Sequence, residues 1–174
     1  MAIKSILALI LFVPLAGCSG KHGTVPNDEG AAAPSLASVI RMGDTTASGQ
    51  LISGFYPPEN SSWRWTGKKF SVLLRWPPSA AQQGADLTFA FNVPDTVIQS
   101  LKTITLSVSI NGTVLKSAEY SAPGDYVFTV DVPANLLSTD TLKADFALDK
   151  SVPPGTVDKR ELGIIATSVG LATK

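Results

Sequence analysis

The sequence predicts an all-β fold, with two antiparallel sheets packed face to face as a jelly-roll sandwich. Three observations predict it. Apolar and polar residues alternate with period two in segment after segment, short turn signals separate the segments, and no stretch carries the period of a long helix. Strict alternation puts one face of a strand in a core and leaves the other in water, as in antiparallel sheets. About eight such strands with short connections fit a sandwich. An immunoglobulin-like sandwich is the alternative, although its common Cys–Trp–Cys core has no counterpart in a chain with one cysteine.

Taken in order, residues 1–17 read as a secretory signal. Lys4 supplies the positive start, and Ile6 to Leu15 is an apolar run broken only by Pro14. That run is too short to span a bilayer, which needs about 20 apolar residues. Leu15-Ala16-Gly17-Cys18 resembles the bacterial lipobox at all four positions. The resemblance implies a diacylglycerol thioether on Cys18, cleavage just before it and acylation of the new amino terminus. A thiolate is the natural nucleophile for such alkylation. Several acyl chains, at roughly 0.8 kcal/mol per buried CH₂, hold a protein on a membrane durably. Ser19 after the cysteine implies, by the same resemblance, the outer membrane in an organism that has two.

Residues 18–48 are expected to be the lipidated cysteine and a flexible tether. They are small and polar, broken by Pro26 and Pro34, with little apolar surface to offset ordering entropy. A coil of about 30 residues spans roughly 30 Å, enough to lift a domain off the headgroups. Leu36, Val39 and Ile40 can form a turn or a leading strand. The folded domain is expected over residues 49–174.

Within it, Phe70, Val72 and Leu74 alternate with more polar neighbours, then Leu87, Phe89 and Phe91, then Ile104, Leu106, Val108 and Ile110. Asn111-Gly112 follows, a strong hairpin signal because both residues tolerate positive φ. It leads into a strand over Thr113 to Tyr120. Tyr126 to Val132, Leu142 to Leu148 and Gly163 to Leu171 complete the set. Short helical turns are expected at Asp95 to Leu101, capped by Asp95, and at Pro133 to Leu137, opened by the proline.

Composition narrows the function. There are 14 basic and 14 acidic residues, and removing the signal takes Lys4 only, so the mature chain sits one negative charge from neutral. No basic stripe exists to hold nucleic acid. The one histidine, His22, lies in the tether, so neither a Ser–His or Cys–His nucleophile nor a His or Cys metal site can be built in the domain. No cofactor is implied. Calcium held by loop oxygens such as Asp125 or Asp158 lacks a clustered signal. A glycosidase pair drawn from Glu59, Glu119, Asp131 and Asp158 is the residual catalytic option, and scattered carboxylates usually mean solvated charge.

The unusual chemistry lies in residues 55–67, FYPPENSSWRWTG, and all three tryptophans fall between Trp63 and Trp76. One reading makes Trp63 and Trp65 core residues, with Arg64 covering an edge or pairing with Glu59. The other makes Tyr56, Glu59, Trp63 and Arg64 a sugar site, rings stacking on pyranose C–H faces while polar groups bond hydroxyls. The exposure of Tyr56, Trp63, Trp65 and Trp76 discriminates between them: coplanar exposed rings favour sugar, full burial excludes it.

Gly54, Glu59 and Trp63-Arg64-Trp65-Thr66-Gly67, with the closing run Asp158-Lys159-Arg160-Glu161-Leu162-Gly163, resemble the opening and end of a jelly-roll domain found in bacterial cell-surface polysaccharide and glycosyltransferase-associated proteins. The resemblance covers about residues 50–172. It implies a carbohydrate-binding-like shape. The lipid anchor in place of a transmembrane portion sets this chain apart from glycosyltransferases. Glu59, Arg64, Asp158 and Arg160 can equally form an ion-pair cluster joining first and last strands, since the guanidinium fork suits carboxylates. The expectation is a lipid-anchored, non-catalytic envelope module that contacts polysaccharide. The alternative is a scaffolding lipoprotein whose partner is an envelope protein.

Overall fold

The computed structural model describes residues 35–137 and 139–174. The signal and Cys18 lie outside the described residues. Among the described residues nine strands carry the fold: β1 Val39–Arg41, β2 Leu51–Phe55, β3 Arg64–Arg75, β4 Ala85–Val93, β5 Ile104–Ile110, β6 Thr113–Tyr120, β7 Gly124–Val132, β8 Thr141–Leu148 and β9 Ile165–Thr173. Two short helices join them, α1 Ala80–Gln83 and α2 Asp95–Leu101.

All pairings are antiparallel. One sheet runs β6-β5-β8-β3-β2 and the other β7-β4-β9-β1. The long strand β3 belongs to both, since Arg64 and Trp65 pair with β9 while Lys69 to Arg75 pair with β8. β2 and β3 pair as chain neighbours, and from β3 onward the chain crosses between sheets at each connection except the β5–β6 hairpin. That interleaved order is the jelly roll. An immunoglobulin sandwich groups its strands ABED and CFG, a different order.

The alternating residues fill the space between the sheets. Burial along β5 and β4 alternates residue by residue, with Ile104, Leu106, Val108 and Ile110 facing Leu87, Phe89 and Phe91. Phe70 and Phe146 from one sheet meet Phe89 from the other with ring centroids 4.9 to 5.6 Å apart. Asn111 and Gly112 take φ of 51° and 79° and close the β5–β6 hairpin, as the dipeptide predicts. Lys116 reaches from β6 to the Thr129 carbonyl on β7 and lies over the Phe128 ring, so a charge closes the open side between the sheets.

Three details differ from expectation. The tether does not reach residue 48, because β1 pairs with β9 and buries Ile40 and Met42. Gln50, 5% exposed, fastens this segment, accepting from the Ala37 amide and donating to the carbonyls of Ala37 and Leu73. Asp95 is the first residue of α2 rather than its cap; Pro94 occupies the cap position, and Asp95 faces the helix dipole from the first turn. Helix α1, four residues ended by Gly84 at φ 83°, is too short to leave a periodic signal.

Candidate functional site

The two ends of the domain meet where the sequence concentrates its aromatics. Glu59 and Trp63 pair across a tight turn in which Asn60 and Ser61 hold φ near +50°. From the closing run, Arg160 sends Nη1 to Glu59 Oε1 at 2.7 Å and grips Asp158 through Nε and Nη2. The hydrogen bonds from Arg160, led by that of its side chain, hold the Asp158 carboxyl at about 2. The same guanidinium lies 5.2 Å over the Tyr56 ring, while the Tyr56 hydroxyl donates to the Glu161 carbonyl. Glu161 itself accepts from Ser151 and from the Lys68 amide, bonds that lower its pKa. Thr66 finishes the join, bonding both the Gly163 and Ile164 amides. Gly163 must be glycine here, because a Cβ would stand 2.6 Å from Thr66 Oγ1 and 2.7 Å from the Gly67 carbonyl.

Arg64 departs from both of its expected roles. It is 7% exposed and has no carboxylate partner among the described residues; Nε donates to the Met42 carbonyl at 2.8 Å, Nη2 to Ser48 Oγ and Nη1 to the Tyr56 carbonyl. It ties three loops together from inside, and burial pulls its pKa down. The ion-pair cluster is therefore Glu59, Arg160 and Asp158, without Arg64.

The aromatic platform is also mostly spent on the fold. Tyr56 is half-buried with one face under Arg160. Trp63 and Trp65 are half-buried and edge to face, at 82° and 6.4 Å, so they are not coplanar. Trp65 and Trp76 pack on the core. Asp158's oxygens are engaged by the backbone amide and guanidinium of Arg160. Its low pKa is also the wrong direction for a glycosidase acid, which needs a raised one. Among the described residues no cluster of His, Cys, Asp or Glu could hold a metal ion.

A different surface has an open, organised polar lining. The outward face of the five-stranded sheet carries a groove of about 430 Å³. Register builds it: Ser53 on β2 lies beside Ser71 on β3, Ser71 beside Asp145 on β8, and Asp145 beside Ser109 on β5. The next row is Lys69, Ala147 and Ser107. Small side chains make the floor, so the groove exists because nothing bulky stands on it. Three of the four serine protons are already used. Ser107 donates to the Ala147 carbonyl, Ser109 to the Asp145 carbonyl, and Ser53 and Ser71 share one bond of 2.8 Å. Lys143 holds one carboxylate oxygen of Asp145 at 2.7 Å. What remains on offer is a set of lone pairs, one hydroxyl proton of the Ser53–Ser71 pair, a free carboxylate oxygen and the ammonium groups of Lys69 and Lys143.

Sequence reading treats these serines as ordinary wet-face residues. The signal that distinguishes them is size, since the outward positions of β3, β5 and β8 include the small residues Ser71, Ser107, Ser109 and Ala147.

No family model and no curated protein matches the chain. Among solved structures it is similar to one described as "CBM4 structure and function", at 14% identity over 76% of this chain and 80% of that one, with a TM-score of 0.33. Likeness that loose bears on neither the fold nor the site.

Proposed function

We propose that this chain is a lipid-anchored, non-catalytic module of the bacterial cell envelope that binds glycan through the serine-floored groove of the five-stranded sheet. The anchor is the lipobox cysteine Cys18. The observation that carries the binding role is the groove's surplus of acceptors around Asp145. A ligand rich in hydroxyl donors satisfies that surplus. The carboxylate oxygen of Asp145 takes one or two such hydroxyls in charge-assisted bonds, and Lys69 and Lys143 donate to the ring and hydroxyl oxygens.

Calorimetric titration of the full chain against β-1,4-glucan, chitin fragments, alginate and extracted envelope polysaccharide tests the proposal. Saturable binding to at least one, weakened tenfold or more in Asp145→Ala and unchanged in a folded Trp63→Ala, supports it. Absence of binding to all four, or binding indifferent to Asp145→Ala, overturns it. A protein partner is the second reading, favoured by the other sheet, whose outer face exposes Val39 and Val127 at 59% and 67%. Co-purification that is lost in Val127→Glu while glycan binding stays absent points there.

A further inference from the structure

The serine groove is not the end of this surface. Lys69, Ser71, Leu73 and Arg75 follow one another along the outward side of β3, and Ala147, Asp145, Lys143 and Thr141 lie opposite them on β8. Beyond the last pair the strands open into a smaller cleft of about 150 Å³ lined by Arg75, Trp76, Pro78 and Asp140. Trp76 is half-buried: it packs on the core, while its indole N–H donates to the Thr139 carbonyl and fixes the ring's orientation. Arg75 is exposed, and neither it nor Asp140 is in an ion pair among the described residues. Both charges are therefore available at the rim of an aromatic ring. Trp65, by contrast, meets Trp63 edge to face, and Tyr56 is capped by Arg160.

Resting on the glycan-binding reading above, we propose that the two clefts are subsites of one extended site and that the ligand is a chain lying along β3 and β8, with one sugar ring stacked on Trp76. Four residues separate Ser71 from Arg75, about 14 Å along a strand. One pyranose ring cannot touch both clefts; an oligosaccharide can. The chemistry of the two ends differs accordingly. The serine end supplies acceptors and a carboxylate for hydroxyls. The Trp76 end supplies a ring for an apolar sugar face, with Arg75 and Asp140 bonding the hydroxyls around its edge. Leu73, between them, is a partly exposed apolar step over which the chain passes.

Length series made by partial hydrolysis of the same four polysaccharides, titrated calorimetrically into the full chain, provide the test. The expected result is affinity that climbs at least tenfold from monosaccharide to the fragment spanning both clefts and then levels off. Trp76→Ala flattens the series while short fragments keep their affinity for the serine end. Because Trp76 packs on the core, Arg75→Gln with Asp140→Asn serves as a second variant that leaves packing intact. It is expected to weaken long fragments severalfold and short ones not at all. If fragments bind with affinity independent of length, or if both variants leave the long fragments untouched, the extended site is wrong while the groove proposal stands. If no fragment of any length binds, both are wrong.

Discussion

Replacing Arg64 by methionine separates a binding arginine from a fold-holding one. Methionine keeps much of the stem's apolar packing while removing every donor. The Met42 carbonyl belongs to a fully buried residue and loses the 2.8 Å bond from Nε. Ser48 and the Tyr56 carbonyl, partly buried, lose theirs and can recover water. The orphaned carbonyl costs about 1–3 kcal/mol and the two further charge-assisted bonds add a similar amount, while freeing the site from a desolvated guanidinium returns part of it, leaving a net loss of about 3 kcal/mol. For the unit Ser35–Lys174 this corresponds to a fall in Tm of roughly 10 °C. Thermal unfolding followed by circular dichroism reads the change, and glycan affinity measured well below the transition is expected to be unaltered. A Tm within about 2 °C of the parent, or lost affinity with stability intact, refutes the structural assignment of Arg64.

Other outcomes follow from the same geometry. Gly163→Ala forces a Cβ to within 2.6 Å of Thr66 Oγ1 and 2.7 Å of Leu148 Cδ1, and overpacking of this kind costs about 1–3 kcal/mol, seen as a lower denaturant midpoint with unchanged slope. The Asp158 carboxyl is held at about 2 in the folded chain, so its stabilising contribution is present above the ordinary value near 4 and disappears as pH falls towards 2. Asp158→Asn is therefore expected to be less stable than the parent at neutral pH and to converge with it near pH 2; a constant gap contradicts the Arg160 link. Lys116→Glu removes the charge that crosses from β6 to the Thr129 carbonyl, and faster aggregation by light scattering is the expected consequence. Phe89→Ala empties the centre of the phenylalanine cluster at a cost of about 3–5 kcal/mol, measured by chemical denaturation.

The strands were readable because burial of one face imposes period two, and β4 and β5 obey it at every position. β1 was legible only as a leading strand or a turn, since three residues carry no period, and what fixes it is the remote side chain of Gln50. The meeting of the closing run with the aromatic block followed from charge: Arg160 seeks carboxylates, and Glu59 and Asp158 supply them. Arg64 looked the same in sequence but bonds carbonyls, which every residue possesses and no sequence pattern marks. The groove was illegible for another reason. Ser53, Ser71, Ser109 and Asp145 are far apart in the chain, and cross-strand register alone sets them in a row.

The most direct test of the central claim is a map of backbone amide shifts as polysaccharide is added to isotopically labelled protein. Glycan seated in the serine groove perturbs amides centred on Ser71, Ser107, Ser109 and Asp145 and running along β3 to Trp76, with residues 56–63 unmoved. Shifts confined to residues 56–63 and Arg160, or to the opposite sheet around Val39 and Val127, contradict it.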